Sequence, residues 1–292
     1  MKKLAAIFLL ALSVPTHSYA QNIEAKAENV RTSIKSENHT SSSILLWMRT
    51  DKPRQAGMER WKYPHSQIIS ANKGLEEYRQ IHFTEENNGL WPLINGVETS
   101  IPSDRKIDGV ADVTLKNIFS VFRGKKQNKL AYEDEVNLFK RTLLYAALGN
   151  ASKSYSLNDS DEKIQARSMV FFRIKEGVDK KEFKKFINNE LTPALANLRV
   201  LKELRNKVYM PWNQKQWNTP NVQHDNAEEV QFQASLILGF SDKNAQDTFF
   251  RSDEVKKLSD RIALFCSAAH AYEIQETFTF VKGGKKLAEY QK

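Results

Sequence analysis

Gly74-Leu75-Glu76-Glu77-Tyr78-Arg79 lines up with Val200-Leu201-Lys202-Glu203-Leu204-Arg205. In both places a long amphipathic run stops and an extended run begins. Upstream of the first lies an expected helix over 55–72, with Met58, Trp61, His65, Ile68 and Ile69 spaced by three and four. Gly74 is expected to stop it in the left-handed C′ conformation. Upstream of the second lies a helix over 180–198, capped by Asp179, with Phe183, Phe186, Ile187, Leu191 and Leu195 on its apolar face.

The same order of elements continues outward from both places. The first copy reads as strand 43–49, the helix, strands 76–83 and 108–115, a helix over 133–148 closed by Gly149-Asn150, and a short strand over 152–157. The second reads as strands 169–175, 201–210 and 230–240, a helix over 252–265 and a last strand over 270–281. Asp134-Glu135-Val136 and Asp253-Glu254-Val255 each fall before a fourth strand, which adds to the parallel. The expected fold class is α+β: two tandem ferredoxin-like βαββαβ units, residues 43–160 and 165–283, with a tail at 284–292.

Such a unit covers one face of its sheet with helices and leaves the other bare. Two units in one chain can pack sheet to sheet, giving a barrel-like core and removing the need for a partner, so a monomer is expected. Strand parity then sorts the side chains. Ile44, Leu46 and Met48 are expected to face helices, while Leu45, Trp47 and Arg49 face the other sheet. Phe171, Arg173 and Lys175 are likewise set against Val170, Phe172 and Ile174. An inter-sheet pocket walled by Trp47 with Arg173 suits a small aromatic or acidic ligand, the alternative being that Arg49 and Arg173 lie at strand ends in water.

The ends and the composition narrow the class. Lys2 and Lys3, an apolar run over 4–14 and Ser18-Tyr19-Ala20 have the order of a signal peptide, with cleavage after Ala20 and export to the periplasm or beyond. Eleven apolar residues are too few to span a bilayer, which takes about 20. No later stretch qualifies, so no membrane contact is expected once residues 1–20 are gone. Residues 21–42 read as a flexible polar leader. Loss of Lys2 and Lys3 lowers the net charge from +9 to +7. The cations alternate with acids, as in Asp179-Lys180-Lys181-Glu182, so nucleic acid is not an expected partner. Cys266 is the one cysteine and sits in an apolar run, so the fold has no internal disulfide.

Trp61-Lys62-Tyr63-Pro64-His65, then Ile68-Ile69 and Gly74-Leu75-Glu76-Glu77-Tyr78-Arg79-Gln80, resembles the helix-to-strand signature of EthD-type domains. Asp108-Gly109-Val110-Ala111-Asp112 resembles the opening of that family's third strand. The resemblance covers about residues 43–157 and implies the dimeric α+β barrel superfamily, whose members include antibiotic-biosynthesis monooxygenases and other small-molecule enzymes. For this chain, exported on the reading of residues 1–20, it implies an EthD-like protein with oxidoreductase or lyase chemistry on an aromatic or conjugated acid. In the second half Leu191 takes the place of His65.

His65 is the candidate catalytic residue, since its titration range suits proton transfer. Packing beside the sheet is its alternative role. Trp47, Trp61, Arg173, His224 and Asp225 are the candidate binding residues. His224-Asp225-Asn226 lies in a loop, where either function or turn chemistry would place it. His270 and Tyr272 share one face of the last strand, where they either look into the inter-sheet space or serve as packed side chains, and His82, alternating with Ile81 and Phe83, faces either the cavity or solvent. No ligand spacing for a metal, phosphate loop or haem-attachment motif is present, so no cofactor is implied. The alternative to an enzyme is a non-catalytic periplasmic binding or interaction protein.

Overall fold

The computed structural model describes residues 34–157 and 163–288. The apolar start and its cleavage site, with most of the expected leader, lie outside these residues. The leader's last stretch does not behave as expected. Residues 35–38 form β1 (Lys35–Asn38), and β2 (Thr40–Met48) begins before Ser43. Ser41 and Ser43 are buried in it, and Ser41 donates to Ser152 over 2.7 Å. Pairing with neighbouring strands overrides a composition that reads as polar linker.

The first half continues with α1 (Arg54–Arg60), a π-type turn over Trp61–His65, α2 (Ser66–Ser70), β3 (Leu75–Phe83), β4 (Gly109–Leu115), α3 (Lys125–Glu135), β5 (Phe139–Ala147) and β6 (Ser152–Ser156). The second has β7 (Ala166–Ile174), α4 (Lys180–Lys185), a π-type turn over Phe186–Leu191, α5 (Thr192–Ala196), β8 (Glu203–Val208), β9 (Ala234–Phe240), α6 (Lys243–Phe250), α7 (Asp253–Phe265), β10 (Cys266–Lys282) and the two-residue β11 (Lys285–Lys286).

Within the sheet the strand order is β3-β4-β2-β5 in one half and β8-β9-β7-β10 in the other, with antiparallel ladders throughout. The fourth strand of each half reaches across to the other. β10 pairs with β7 up to Ile274 and with β3 from Ile274 to Val281. β5 pairs with β2, the chain turns at Gly149–Ala151, and β6 pairs with β8. Followed strand by strand, the ladder closes on itself as a barrel, with helices outside.

The stretch 133–148 is the main departure from expectation. It is not a helix: α3 ends at Glu135 and β5 runs from Phe139. Leu143, Tyr145 and Ala147 alternate into the barrel, and β2 takes the strand into register from Ser41↔Ala147 to Met48↔Phe139. Asp134 therefore ends a helix whereas Asp253 opens one, so that three-residue match does not mark equivalent positions. Gly74 is needed for closeness, not handedness. A Cβ there would lie 2.6 Å from the Ser120 carbonyl oxygen, and its φ is not positive.

The parity reading holds where the strands are buried. Ile44, Leu46 and Met48 pack under the helices of the first half, and Leu45 and Trp47 point into the barrel. Val170 and Phe172 face the second half's helices, while Phe171 points inward. Arg49 instead leaves the barrel end for solvent, where it pairs with Asp51. The expected pocket between the sheets is filled: Phe171 stacks on Phe232 at 4.9 Å, Phe83 on Tyr272 at 4.7 Å, and Tyr145 lies 5.0 Å from Tyr209. Aromatic side chains from both sheets and the long loops occupy the space that a ligand would need.

At one end of the barrel the opening hexapeptides meet. Glu77 pairs with Arg205, and Arg79 pairs with Glu203 at 2.7 Å, so each half supplies one acid and one arginine to the other. Cys266 is buried, and burial pushes its thiol well above the ordinary range.

Candidate functional site

The site begins with Pro64. A residue before proline is pushed out of the helical region, and Tyr63 is extended at φ −150°, ψ 131°. This breaks the helix between α1 and α2 and turns both Trp61 and His65 toward the sheet, where each is at most 3% exposed. Trp61 can lie flat because β4 starts with Gly109, whose Cβ would sit 2.5 Å from the indole. The indole stacks on His82 at 4.4 Å with 11° between the planes. Burial, with Lys62 and Arg54 nearby, pushes His82 down to about 3, so it stays neutral and acts as a packed ring.

His65 Nδ1 donates to Asp134 Oδ2 at 3.0 Å, and Arg60 donates to the other Asp134 oxygen. Burial pushes the Asp134 carboxyl up, but the hydrogen bonds from His65 and Arg60 more than offset it and leave it below its ordinary value. The next residue, Glu135, is also buried and accepts from Trp217 Nε1 at 3.1 Å and from Thr219 Oγ1. Here burial dominates and raises the carboxyl above the usual 4.5, against the pull of His65 and the two donors. Two adjacent carboxylates are thus driven in opposite directions, a pattern that marks acid and base positions in enzymes.

His65, Trp61 and Glu135 line a cavity of about 530 Å³ between the outer face of the first half's sheet and its helices. Ile44, Leu46, Val113, Phe139 and Leu144 make much of its wall, and Tyr78, Asn72 and Ser41 add polar atoms. The volume suits a ligand of several fused rings. In the second half the same place is solid. Leu191 ends its π-type turn as His65 ends the first, and it packs with Phe183, Phe186, Ile187 and Leu195 in one core.

The other candidates lie elsewhere. Trp47 is inside the barrel with the Arg141 guanidinium 4.9 Å above its ring, and Arg173 lies 3.7 Å from Glu98. Neither lines the cavity. His224 is a structural pin: Nδ1 is 2.8 Å from the Thr142 carbonyl and Nε2 is 3.0 Å from that of Thr219. Both ring nitrogens are spent on backbone, so it has none to offer a substrate. It fixes the loop that delivers Thr219 and Trp217 to Glu135. Asp225 takes Arg141 on its carbonyl, and its exposed carboxylate lies 3.3 Å from the same guanidinium. His270 and Tyr272 do point into the barrel, where His270 Nε2 is 2.7 Å from Glu98. Asp134, Glu135 and Trp217 are not among the expected site residues. The adjacent acids next to an apolar run are the available signal, hidden by the misplaced helix boundary. Among the described residues no group of three or more His, Cys, Asp or Glu could hold a metal ion.

Glu135 gives a direct test of this electrostatic arrangement. A carboxyl with a raised folded-state pKa contributes stability below its ordinary value and loses it as pH rises through the folded value. Glu135→Gln cannot ionise, so thermal melts of the variant should match the wild type near pH 4 and exceed it near pH 8. A wild type more stable than the variant at pH 8 would place the charged form, not the neutral one, in the folded site.

No protein-family model matches the chain, and no curated protein sequence matches it. Solved structures do resemble it. A candidate monooxygenase from Fusobacterium nucleatum subsp. nucleatum superposes with a TM-score of 0.51 at 10% identity, over 86% of this chain and 97% of that one. An anthrone oxidase-like protein superposes with a TM-score of 0.50 at 10% identity, over 88% and 99% of the two chains. At this identity the likeness is one of fold, and the shared fold is the dimeric α+β barrel.

Proposed function

We propose that the protein is an exported, EthD-like enzyme that draws an aromatic or conjugated acid into the cavity beside His65 and removes a proton from it. The observation that carries this reading is the 3.0 Å contact of His65 Nδ1 with Asp134 at the wall of a mainly apolar cavity. A carboxylate on Nδ1 fixes the ring and its tautomer and leaves Nε2 as the base. Arg60 holds the carboxylate in place. Glu135, biased toward its neutral form, can donate to a ligand oxygen as charge builds there.

The oxidase reaction of an anthrone is the simplest chemistry that fits these groups, and the name of the anthrone oxidase-like neighbour motivates it. Proton loss gives an electron-rich enolate that reacts with dioxygen. Anthrone plus dioxygen then gives anthraquinone plus water, balanced without another reductant. The equal strand order of the halves and their reciprocal Glu–Arg pairs support tandem copies of one unit, the first with a cavity beside His65 and the second with Leu191 packed into a core. A closed barrel within one chain supports a monomer, and residues 1–20 support action outside the cytoplasm.

Titrating the mature chain with a hydroxyanthrone should give saturable tryptophan quenching together with oxygen uptake. Ala146 lines the cavity, and Ala146→Phe should weaken binding at least about tenfold by filling the space. Binding without oxygen uptake would favour the non-catalytic ligand-binding protein. Failure of the wild type to bind any fused-ring phenol would sink the cavity reading itself.

A further inference from the structure

Between Asp112 and Glu133 the chain carries Lys116, Arg123, Lys125, Lys126 and Lys129 and no acidic residue. All five are exposed. In the 3₁₀ segment Ile118–Gly124 the large apolar residues also face solvent: Ile118 is 49% exposed, Phe119 72% and Phe122 68%, with Leu130 at 39% on α3. One exposed aromatic is ordinary, but several on one turn make a patch. Residues three apart in a 3₁₀ turn share a side, so Phe119 and Phe122 project together. The turn is fastened from behind. A Cβ on Gly124 would meet Asn72 Nδ2 at 2.1 Å, and one on Gly74 would meet the Ser120 carbonyl at 2.6 Å. The phenyl rings therefore sit on a firmly seated base.

We propose that this segment docks the protein on an anionic lipid surface, with Phe119 and Phe122 inserted at the headgroup boundary and the five cations over the headgroups. An interfacial anchor combines apolar rings with surrounding Lys and Arg in this way. A second copy of the chain is a poor occupant, because a twofold contact would set five cations against five. Ile118 and Leu130 add aliphatic bulk that serves burial in lipid and offers no stacking surface to a nucleic acid. No helix among the described residues is long and apolar enough to cross a membrane, so the contact is peripheral. Ile118 and the half-exposed Met210 also line the cavity, which places its entrance on the docking face. A lipid-soluble ligand can then pass from bilayer to cavity without crossing water.

The mature protein should co-sediment at low salt with vesicles of equal phosphatidylglycerol and phosphatidylcholine, and should not with phosphatidylcholine alone. Raising salt to about 0.5 M should release it. Neutralising Lys125, Lys126 and Lys129 to Gln together should weaken binding about 100-fold. Phe119→Ser with Phe122→Ser should weaken it at least about tenfold. Both variants should keep the wild-type circular dichroism and melting temperature, since the altered side chains are exposed. The proposal is overturned if the wild type ignores phosphatidylglycerol vesicles or if either variant sediments with them as well as the wild type. It is also overturned if the phenylalanine pair instead proves to hold a dimer in analytical ultracentrifugation. Vesicle binding does not depend on turnover, so its failure and the failure of the enzymatic reading are separate results.

Discussion

Replacing His65 with glutamine is expected to lower oxygen uptake with a hydroxyanthrone by about 100- to 10,000-fold, the usual weight of one positioned base. The ligand's dissociation constant should change little. Glutamine keeps the length of the side chain and its amide can still donate to Asp134, so the wall of the cavity stays in place while the base is gone. Asp134→Asn should cost up to about 10,000-fold as well, because the amide can hold the imidazole in the tautomer that carries its proton on Nε2 and so has no base to offer. Stopped-flow traces separate the two steps, with quenching reporting binding and oxygen loss reporting chemistry. An uptake rate unchanged in His65→Gln would assign the proton transfer to another group. Equal losses in binding and in rate would make His65 a packing residue.

Much of this arrangement is legible in the amino-acid sequence, and the reasons are local. His65 and Leu191 each end a turn of the same kind, so the contrast between a polar and an apolar residue there separates a possible site from a filled one. Strand parity sorts Ile44, Leu46 and Met48 from Leu45 and Trp47 because a strand's period of two is set by its own backbone wherever the strand is buried and regular. What is not legible depends on distant contacts. Residues 139–147 contain good helix formers, and only the ladder with β2 makes them extended. The polar text of residues 35–42 gives no apolar rhythm, yet β6 and β4 pair with it. Guanidinium and indole groups alternate into the space between the sheets, which is why a cavity is expected there. Tyr209 and Phe232, inside the strands expected over 201–210 and 230–240 but just beyond the ends of β8 and β9, fill it, and strand parity alone does not tell a filled space from a hollow one. The hollow lies instead on the helical side, where the break at Tyr63 lifts Trp61 and His65 over small or branched residues such as Ala111 and Val113.

The second large effect concerns the barrel's end, and there Asp112→Ala should destabilise the protein by about 3–5 kcal/mol, the cost of stranding a buried charge. Asp112 is 4% exposed and accepts from Arg79 Nη2 at 2.8 Å and from Lys207 Nζ. Without it, two buried cations from the two halves lose their common acceptor, and Arg205 adds to their repulsion. A loss of that size corresponds to about 10 °C in melting temperature for a chain of this length. Acid should produce the same failure in the wild type. Burial pushes Asp112 and Glu203 up, but the cations around them overcome it and hold both carboxyls well below their ordinary values of 3.8 and 4.5. Such groups contribute stability that is complete above the ordinary values and lost as pH falls through the folded ones. Urea denaturation at pH 7 and pH 3 should show the wild type losing much of its margin, and Asp112→Ala losing less on acidification because one of the responsible groups is already gone. Replacing Arg79, Asp112 and Lys207 together by Met, Leu and Met should recover most of the single-variant loss, since removing a buried set is gentler than breaking it. A triple variant weaker than Asp112→Ala would mean that the network does more than avoid unpaired charge. It would then be what sets the register between the two halves, through the Glu77–Arg205 and Arg79–Glu203 exchange.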